Sequence, residues 1–317
     1  MSPAEPPLES PAARLSIACV VPILNEARHL RTFLDSMANQ TRFPDMLLLV
    51  DDGSSDTSPA LAADFAAAHP SVRLLRRASR PVGRDRLADA AELRAFQWAL
   101  QQIPGSWDVA GKLDADLKLS PDLFQTLERA FLQTPELGIA GAYLSAVHPR
   151  DGTLRRERCD PWHVRGATKF YRRACYQQIA PIRPLLGWDT IDEVAARSRG
   201  WRTASLSCQA GDTLHLRPTG SVDGLPRAQY RWGMCAYGIG QHPLWVLLSA
   251  GRRLAERPRP LGSLAYLAGW AAAALRRHRR AERHLRAYVR REQMAILRRK
   301  FSRARDVTFA WRDFTRA

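Results

Sequence analysis

The chain has 317 residues and a formal net charge of +17, from 48 basic and 31 acidic side chains. With 45% hydrophobic and 25% charged residues it folds around a sizeable core, which excludes a disordered or fibrous protein. The positive balance points to a polyanionic partner, either nucleic acid or an anionic membrane surface.

Residues 1–14 are rich in Pro, Ala and Glu and lack the basic start and apolar run of a signal peptide. A disordered tail and a cytoplasmic start are expected. Ser16 to Ile23 then reads as a buried strand, and Glu26 to Ala38 sets Leu30, Phe33, Leu34 and Met37 at helical spacing. Met46 to Val50 is a second strand, followed by Asp51-Asp52-Gly53-Ser54-Ser55-Asp56. Asp56 or Ser58 caps a helix running to Ala68. Val72 to Leu75 is a third strand, Asp85 to Gln102 a helix, and Trp107 to Leu113 a fourth strand ending on Asp114-Ala115-Asp116. The second half is less regular. It offers a strand over Gly138 to Val147, mixed signals over Val164 to Gln178, and a short helix entered through acidic residues over Gly187 to Gly200. Short strands over Arg202 to Leu206 and Thr213 to Leu216 precede a helix over Arg227 to Ile239. Alternating strands and helices with buried strands predict an α/β protein, its sheet largely parallel with helices on both faces. Ligands of such sheets bind beyond the carboxyl ends of the strands, where both acidic motifs fall.

The charge is concentrated at the end of the chain. From Gly251 onward there are 19 Arg/Lys and 5 Asp/Glu, a net of +14, which leaves only +3 on the first 250 residues. Leu261 to Leu275 is an apolar, Ala-rich run with Tyr266 and Trp270, bounded by Arg257/Arg259 and Arg276-Arg277-His278-Arg279-Arg280. It is short for a membrane span and reads either as a helix lying in a membrane interface or as one packed on the preceding domain. Arg283 to Arg299 reads as a basic amphipathic helix. The aromatic residues do not interleave with the arginines as stacking platforms do, so nucleic acid is the less favoured partner. The five cysteines are odd in number and include no CxxC, which speaks against a disulfide framework or a zinc site.

Two motifs carry chemistry. Asp114 and Asp116 lie two residues apart on a strand end, where an extended backbone turns both carboxylates the same way. Hard oxygen donors beside a loop suit Mg²⁺ or Mn²⁺ bridging a diphosphate. A solvated turn capping the next helix is the plain alternative. Asp51 to Asp56 offers a carboxylate for a base or ribose, and its Gly and Ser permit a tight turn into a helix N-terminus. There the plain alternative is a turn with an N-cap.

Taken in order, Val20-Val21-Pro22-Ile23-Leu24-Asn25-Glu26, Val50-Asp51-Asp52-Gly53-Ser54-Ser55-Asp56 and Lys112-Leu113-Asp114-Ala115-Asp116 close successive strands. This set resembles family 2 glycosyltransferases of the GT-A, nucleotide-diphospho-sugar transferase fold. The resemblance implies a GT-A Rossmann-like, mostly parallel sheet over residues 15–245 and a C-terminal helical basic extension over 246–317. It also implies a nucleotide-diphospho-sugar donor and Mn²⁺ or Mg²⁺. By it, Pro22, Asn25 and Glu26 line the nucleotide pocket and Asp52 contacts the base, while Asp114 and Asp116 hold the ribose and the metal–diphosphate. The family also places a nucleotide-binding arginine between the third strand and the DxD. Arg84, Arg86 and Arg94 compete for that role, with Arg84 first because Gly83 lets backbone approach a ligand.

Inverting members of the family use a carboxylate base, often in a Glu-Asp pair at a helix start. Gly187-Trp188-Asp189-Thr190-Ile191-Asp192-Glu193 departs from that pattern, with the pair reversed and a second Asp three residues earlier. Asp192 is the first choice for the base, followed by Asp189 and Glu193. The alternative is that all three merely favour the start of a helix. His215 is the candidate to complete the metal shell, or else a polar residue at a strand edge. Gln229-Tyr230-Arg231-Trp232 is one residue short of the Gln-x-x-Arg-Trp of processive members, so processivity is not inferred. Arg231 and Trp232 still suit a diphosphate and a sugar face.

The function implied is an inverting, metal-dependent transfer of a sugar to a hydroxyl or a lipid-phosphate acceptor. Its setting is cell-envelope or exopolysaccharide assembly at the cytoplasmic face of the membrane. One alternative is a nucleotidyltransferase, which usually has a Gly- and Lys-rich loop after the first strand, absent from Pro22 to Glu26. The other is a non-catalytic basic binding protein on the same fold, against which Asp52, Asp114 and Asp116 count.

Overall fold

The structure, a computed structural model, describes residues 14–77, 89–148, 151–217, 224–255 and 259–301. The first half alternates as the sequence predicts: β1 (Ile17–Ile23), α1 (Ala27–Ala38), β2 (Met46–Asp51), α2 (Ser58–Ala68), β3 (Val72–Arg76), α3 (Ala91–Leu100) and β4 (Val109–Leu113). After β4 come β5 (Leu117–Lys118), α4 (Leu123–Gln133), β6 (Leu137–Ala142), β7 (Leu144–Val147), β8 (Leu154–Arg156) and β9 (Thr168–Arg172). Then follow α5 (Arg173–Ile179), α6 (Trp188–Arg197), β10 (Arg202–Leu206) and β11 (Thr213–His215). The C-terminal part is helical: α7 (Leu225–Ile239), α8 (Pro243–Arg253), α9 (Leu261–Leu275) and α10 (Arg283–Phe301).

Seven strands form the central sheet in the order β10-β6-β9-β4-β1-β2-β3. All neighbouring pairs are parallel except the two made by β9. β1 is buried on both faces, which explains its unbroken apolar sequence. One face packs against α1 and α4 through Phe33, Met37, Phe124 and Phe131. The other packs against α3, α6 and α10 through Phe96, Val194, Leu285 and Val289. The single strand expected over Gly138 to Val147 divides at Tyr143. Its first part stays in the large sheet, and its second enters a four-stranded sheet ordered β5-β11-β7-β8.

The basic C-terminal helices are packed on the rest of the protein. Arg197 of α6 makes two hydrogen bonds to Glu292 of α10, at 2.8 and 3.0 Å, with both side chains nearly fully buried. α7 and α9 touch through backbone. A Cβ on Gly233 would lie 1.9 Å from the Tyr266 carbonyl oxygen, and one on Gly269 would lie 1.9 Å from that of Tyr230. Gly233→Ala and Gly269→Ala are therefore each expected to cost about 1–3 kcal/mol by forcing the helices apart. Gly251→Ala, where a Cβ meets nothing within 4 Å, should be neutral or stabilising. Urea titration of the three variants tests this, and equal effects at all three positions would contradict the contact.

Candidate active site

The carboxyl ends of β1 and β2 are stitched together by the loops that follow them. Pro22 and Val50 are register partners across the two strands. Asn25 adopts φ +55°, a left-handed conformation that asparagine tolerates better than most residues. Its Oδ1 accepts the Ser55 amide N–H at 2.8 Å, while its own amide donates to Ser54 Oγ at 3.0 Å. The Glu26 amide donates to Ser58 Oγ at 2.9 Å and the Ala27 amide to Asp56 Oδ2 at 3.1 Å. Ser54, Ser55 and Asp56 of the second motif thus serve the first. Asp52 is 1% exposed, and its carboxylate accepts from Arg77 at 2.8 Å (Nε) and 2.6 Å (Nη2). Arg77, one residue past β3, was not singled out from the sequence, and nothing in its local pattern marks it. Arg84 and Arg86 lie outside the described residues. Arg94 is exposed on α3 and donates to the Asp89 carbonyl at 3.0 Å.

The two aspartates of the DxD take different partners. Lys112, 1% exposed, donates to Glu92 at 2.7 Å and to Asp114. Burial, then the nearby Glu92 and Asp116 carboxylates, push Asp114 up to about 7 against the pull of Lys112. Asp116 Oδ2 accepts from Arg217 Nε at 3.0 Å, and Arg217 Nη2 also reaches Glu26 Oε1 at 2.6 Å. Arg217 therefore ties the β1 loop to the DxD. Desolvation raises the Glu26 carboxyl above its usual range despite that arginine. His215 pairs with Leu117 across β11 and β5, which brings its Nε2 to 3.7 Å from Asp116 Oδ1. Its Nδ1 lies 3.1 Å from Glu157. Burial alone would depress the imidazole, but Glu157, Asp116 and Asp114 overrule it and raise the pKa. Among the described residues, no three His, Cys, Asp or Glu side chains converge as a ready-made metal shell.

The acids of α6 divide sharply. Asp192 and Glu193 are each 1% exposed and engaged on all sides. Asp192 accepts from Lys169 at 3.0 Å and from the Tyr171 hydroxyl at 2.6 Å. Glu193 accepts from Lys169 at 3.0 Å and the Val164 amide at 2.9 Å, with His163 Nδ1 at 3.1 Å and Arg197 at 3.4 Å. Burial would raise Glu193, but His163, Lys169 and Arg197 hold it down at about 2, below its ordinary 4.5. Asp192, by contrast, is raised by desolvation and by Glu193. The expectation of Asp192 as base thus meets a carboxylate already occupied by an ammonium and a phenol. Asp189, in the first turn of α6, is only half-buried, and Lys169 holds its backbone carbonyl rather than its carboxylate.

A consequence for pH follows from Glu193. Its folded-state pKa is depressed, so its charge stabilises the fold above pH 4.5, and this contribution fades as pH falls toward about 2. The stability gap between wild type and Glu193→Gln should therefore close over that window. A gap that stays constant in acid denaturation would contradict it.

Sheet register brings Asp189 to the DxD. Lys112 of β4 and Lys169 of β9 are register partners, and Trp188 lies 5.9 and 5.8 Å from their ammonium groups. The Asp114 amide donates to the Ala167 carbonyl at 3.0 Å. The preceding residue, Gly166, lies against Asp189, where a Cβ would stand 3.1 Å from Oδ2. One dipeptide thus separates the DxD from this partly buried aspartate. α7 passes the start of α6, with Cys235 next to Gly187, and burial pushes the Cys235 thiol up to about 12. Trp232 is 38% exposed and lies against Arg253 of α8.

A family model described as glycosyl transferase family 2 matches residues 18–183, more than half of the chain and every motif up to β9. The chain belongs to glycosyl transferase family 2. Its fold is the GT-A fold of solved glycosyltransferases. The mannosyltransferase PcManGT of Pyrobaculum calidifontis, solved with GDP-Man and Mn²⁺, is 18% identical with a TM-score of 0.54, over 96% of this chain and 84% of that one. GalNAc-T7, solved with UDP, GalNAc and Mn²⁺, is 12% identical with a TM-score of 0.57, over 92% of this chain and 58% of that one. Among curated sequences, the uncharacterized glycosyltransferase YibD of Escherichia coli K12 is 27% identical over 111 residues. That match spans 35% of this family 2 chain and 29% of YibD.

Proposed function

We propose that this family 2 protein transfers a sugar from a nucleotide-diphosphate donor to a hydroxyl or lipid-phosphate acceptor, with inversion and with a divalent metal. The observation that carries the reading is a partly buried aspartate, Asp189, one dipeptide from the DxD in a chain of this family. On this reading the nucleotide lies over Pro22, Asn25, Glu26 and Asp52, with Arg77 fixing the orientation of Asp52. The family match and this second carboxylate favour sugar transfer over nucleotidyl transfer or a non-catalytic binding role.

The donor set suits Mn²⁺ or Mg²⁺. Asp116 Oδ1 and His215 Nε2 stand 3.7 Å apart. An octahedral cation with donors at about 2.1 Å sets cis donors about 3.0 Å apart, so this pair would close by about 0.7 Å to share one ion. Such cations are commonly held by one or two carboxylates together with substrate phosphates, so a complete protein shell is not required. Asp114, Asp116 and His215 would hold the ion, which when bound supplies positive charge to the departing diphosphate. The protein's own step is proton removal. Asp189 accepts the acceptor's proton as the acceptor oxygen forms its bond to the anomeric carbon. The bond from that carbon to the diphosphate breaks, and its electron pair leaves on the phosphate oxygen. Asp192, Glu193 and Lys169 keep the start of α6 in place, and Arg231 on α7 closes the acceptor side.

The test is nucleotide release from a panel of nucleotide sugars, each assayed with Mn²⁺, with Mg²⁺ and with chelator. Release from at least one donor, lost in chelator, is expected. No binding or release with any donor would overturn the reading.

A further inference from the structure

Eight of the eleven large apolar side chains left exposed among the described residues lie in α7 to α9 and their connections. On α8, Leu244, Leu247 and Leu248 are 43%, 59% and 44% exposed. Their i, i+3, i+4 spacing puts them on one side of the helix, opposite the buried Val246 and Ala250. On α9, Leu261 and Leu264 are both 57% exposed, while Ser263, Tyr266, Gly269 and Ala273 face inward. Leu254 and Leu261 stand at the two ends of the connection between these helices, and Ser263 Oγ donates to the Ala250 carbonyl at 2.9 Å to lock them together. The α9 sequence is therefore neither a free helix nor a buried one. Gly269 seats it on α7, and Leu261, Leu264 and Leu275 face out while Leu267 packs inward.

The charge around this face has one sign. Residues 243–280 contain eight arginines and a single acid, Glu256. Arg252, Arg259, Arg276, Arg277 and Arg279 are exposed. No helix among the described residues is long and apolar enough to cross a membrane.

We infer that the α8–α9 hairpin docks this protein on an anionic bilayer surface, with the leucines entering the interface and the arginines meeting lipid phosphates. Leucines flanked by arginines are the composition of a helix lying in a membrane interface. A second copy of the chain fits less well, because a two-fold contact sets two arginine-rich rims against each other. α7 links this face to the reaction, since it carries Gly233 against α9 and Cys235 against Gly187 at the start of α6. Docking would thus bring the acceptor side to the membrane. That last link rests on the proposed transferase reading, whereas membrane binding itself does not.

The experiment is co-sedimentation of the full chain with vesicles of equimolar phosphatidylcholine and phosphatidylglycerol, and with pure phosphatidylcholine. The protein should pellet with the first and not the second, and should be released by salt. A Leu244→Ser/Leu247→Ser/Leu248→Ser variant should bind on the order of a hundredfold more weakly. Arg276→Glu/Arg277→Glu/Arg279→Glu should abolish pelleting. Circular dichroism and unchanged donor hydrolysis in vesicle-free buffer would show that both variants remain folded. Wild-type protein that stays in the supernatant, a leucine variant that pellets equally, or a solution dimer dissociated by the leucine substitutions would each overturn the inference. Because sedimentation is read without a donor, its failure is distinct from failure of the transferase reading.

Discussion

Asp189→Asn is expected to lower the rate of sugar transfer by about 10²–10⁴-fold while nucleotide binding stays close to wild type. The size is that of a positioned general base whose proton acceptor has been removed. Binding survives because the nucleotide contacts lie with Pro22, Asn25, Glu26 and Asp52, on loops that Asp189 does not touch. The backbone hold from Lys169 to the Asp189 carbonyl also survives, since the substitution leaves that carbonyl unchanged. Asp192→Asn should behave differently. It removes a charge from the buried Lys169 and Tyr171 pairings, so its first effect is on stability. The contrast is measured by single-turnover rates beside equilibrium unfolding for both variants. Near-normal turnover in Asp189→Asn, or complete loss of turnover in a fully folded Asp192→Asn, would return the base to Asp192.

Lys169→Met is expected to destabilise the protein by about 3–5 kcal/mol, the cost of removing one partner from a buried ion pair. Lys169 is fully buried between Asp192 and Glu193, and no solvent is available to replace it. His163 and Arg197 still face Glu193, but Asp192 would keep only the Tyr171 hydroxyl and the Glu193 amide. Urea unfolding of Lys169→Met gives the value directly, and a loss below about 1 kcal/mol would show that the network does not hold α6. Replacing Lys169, Asp192 and Glu193 together by apolar residues should recover part of the loss, since an emptied charge network costs less than a broken one.

The strand ends were legible in the sequence because each motif follows a run that must be buried on both faces, and such runs stand out without any knowledge of partners. The choice among the acids of α6 was not legible. Helical spacing puts Asp189 and Asp192 on one face, but which carboxylate stays open depends on Lys169 and Tyr171, some twenty residues away on β9. The Asp52–Arg77 pair is hidden for the same reason, since an arginine after a strand carries no local sign of its partner. α10 reads as a basic amphipathic helix, and Leu285, Tyr288 and Val289 of its apolar side join the core, but nothing local marks Glu292 as the partner of Arg197. α8 went unread altogether. Its apolar positions face outward as well as inward, so no single buried stripe marks it.

On the proposed reading, Asp52 and the DxD assemble a donor site that takes a divalent cation. Calorimetric titration of UDP and GDP into the wild-type protein and Asp116→Asn, each with Mn²⁺ and with chelator, tests it most directly. Binding of at least one nucleotide that requires the metal in wild type, and is lost or metal-independent in Asp116→Asn, is expected. Equal nucleotide affinity in chelator and in Mn²⁺, or an unaltered metal requirement in Asp116→Asn, would contradict it.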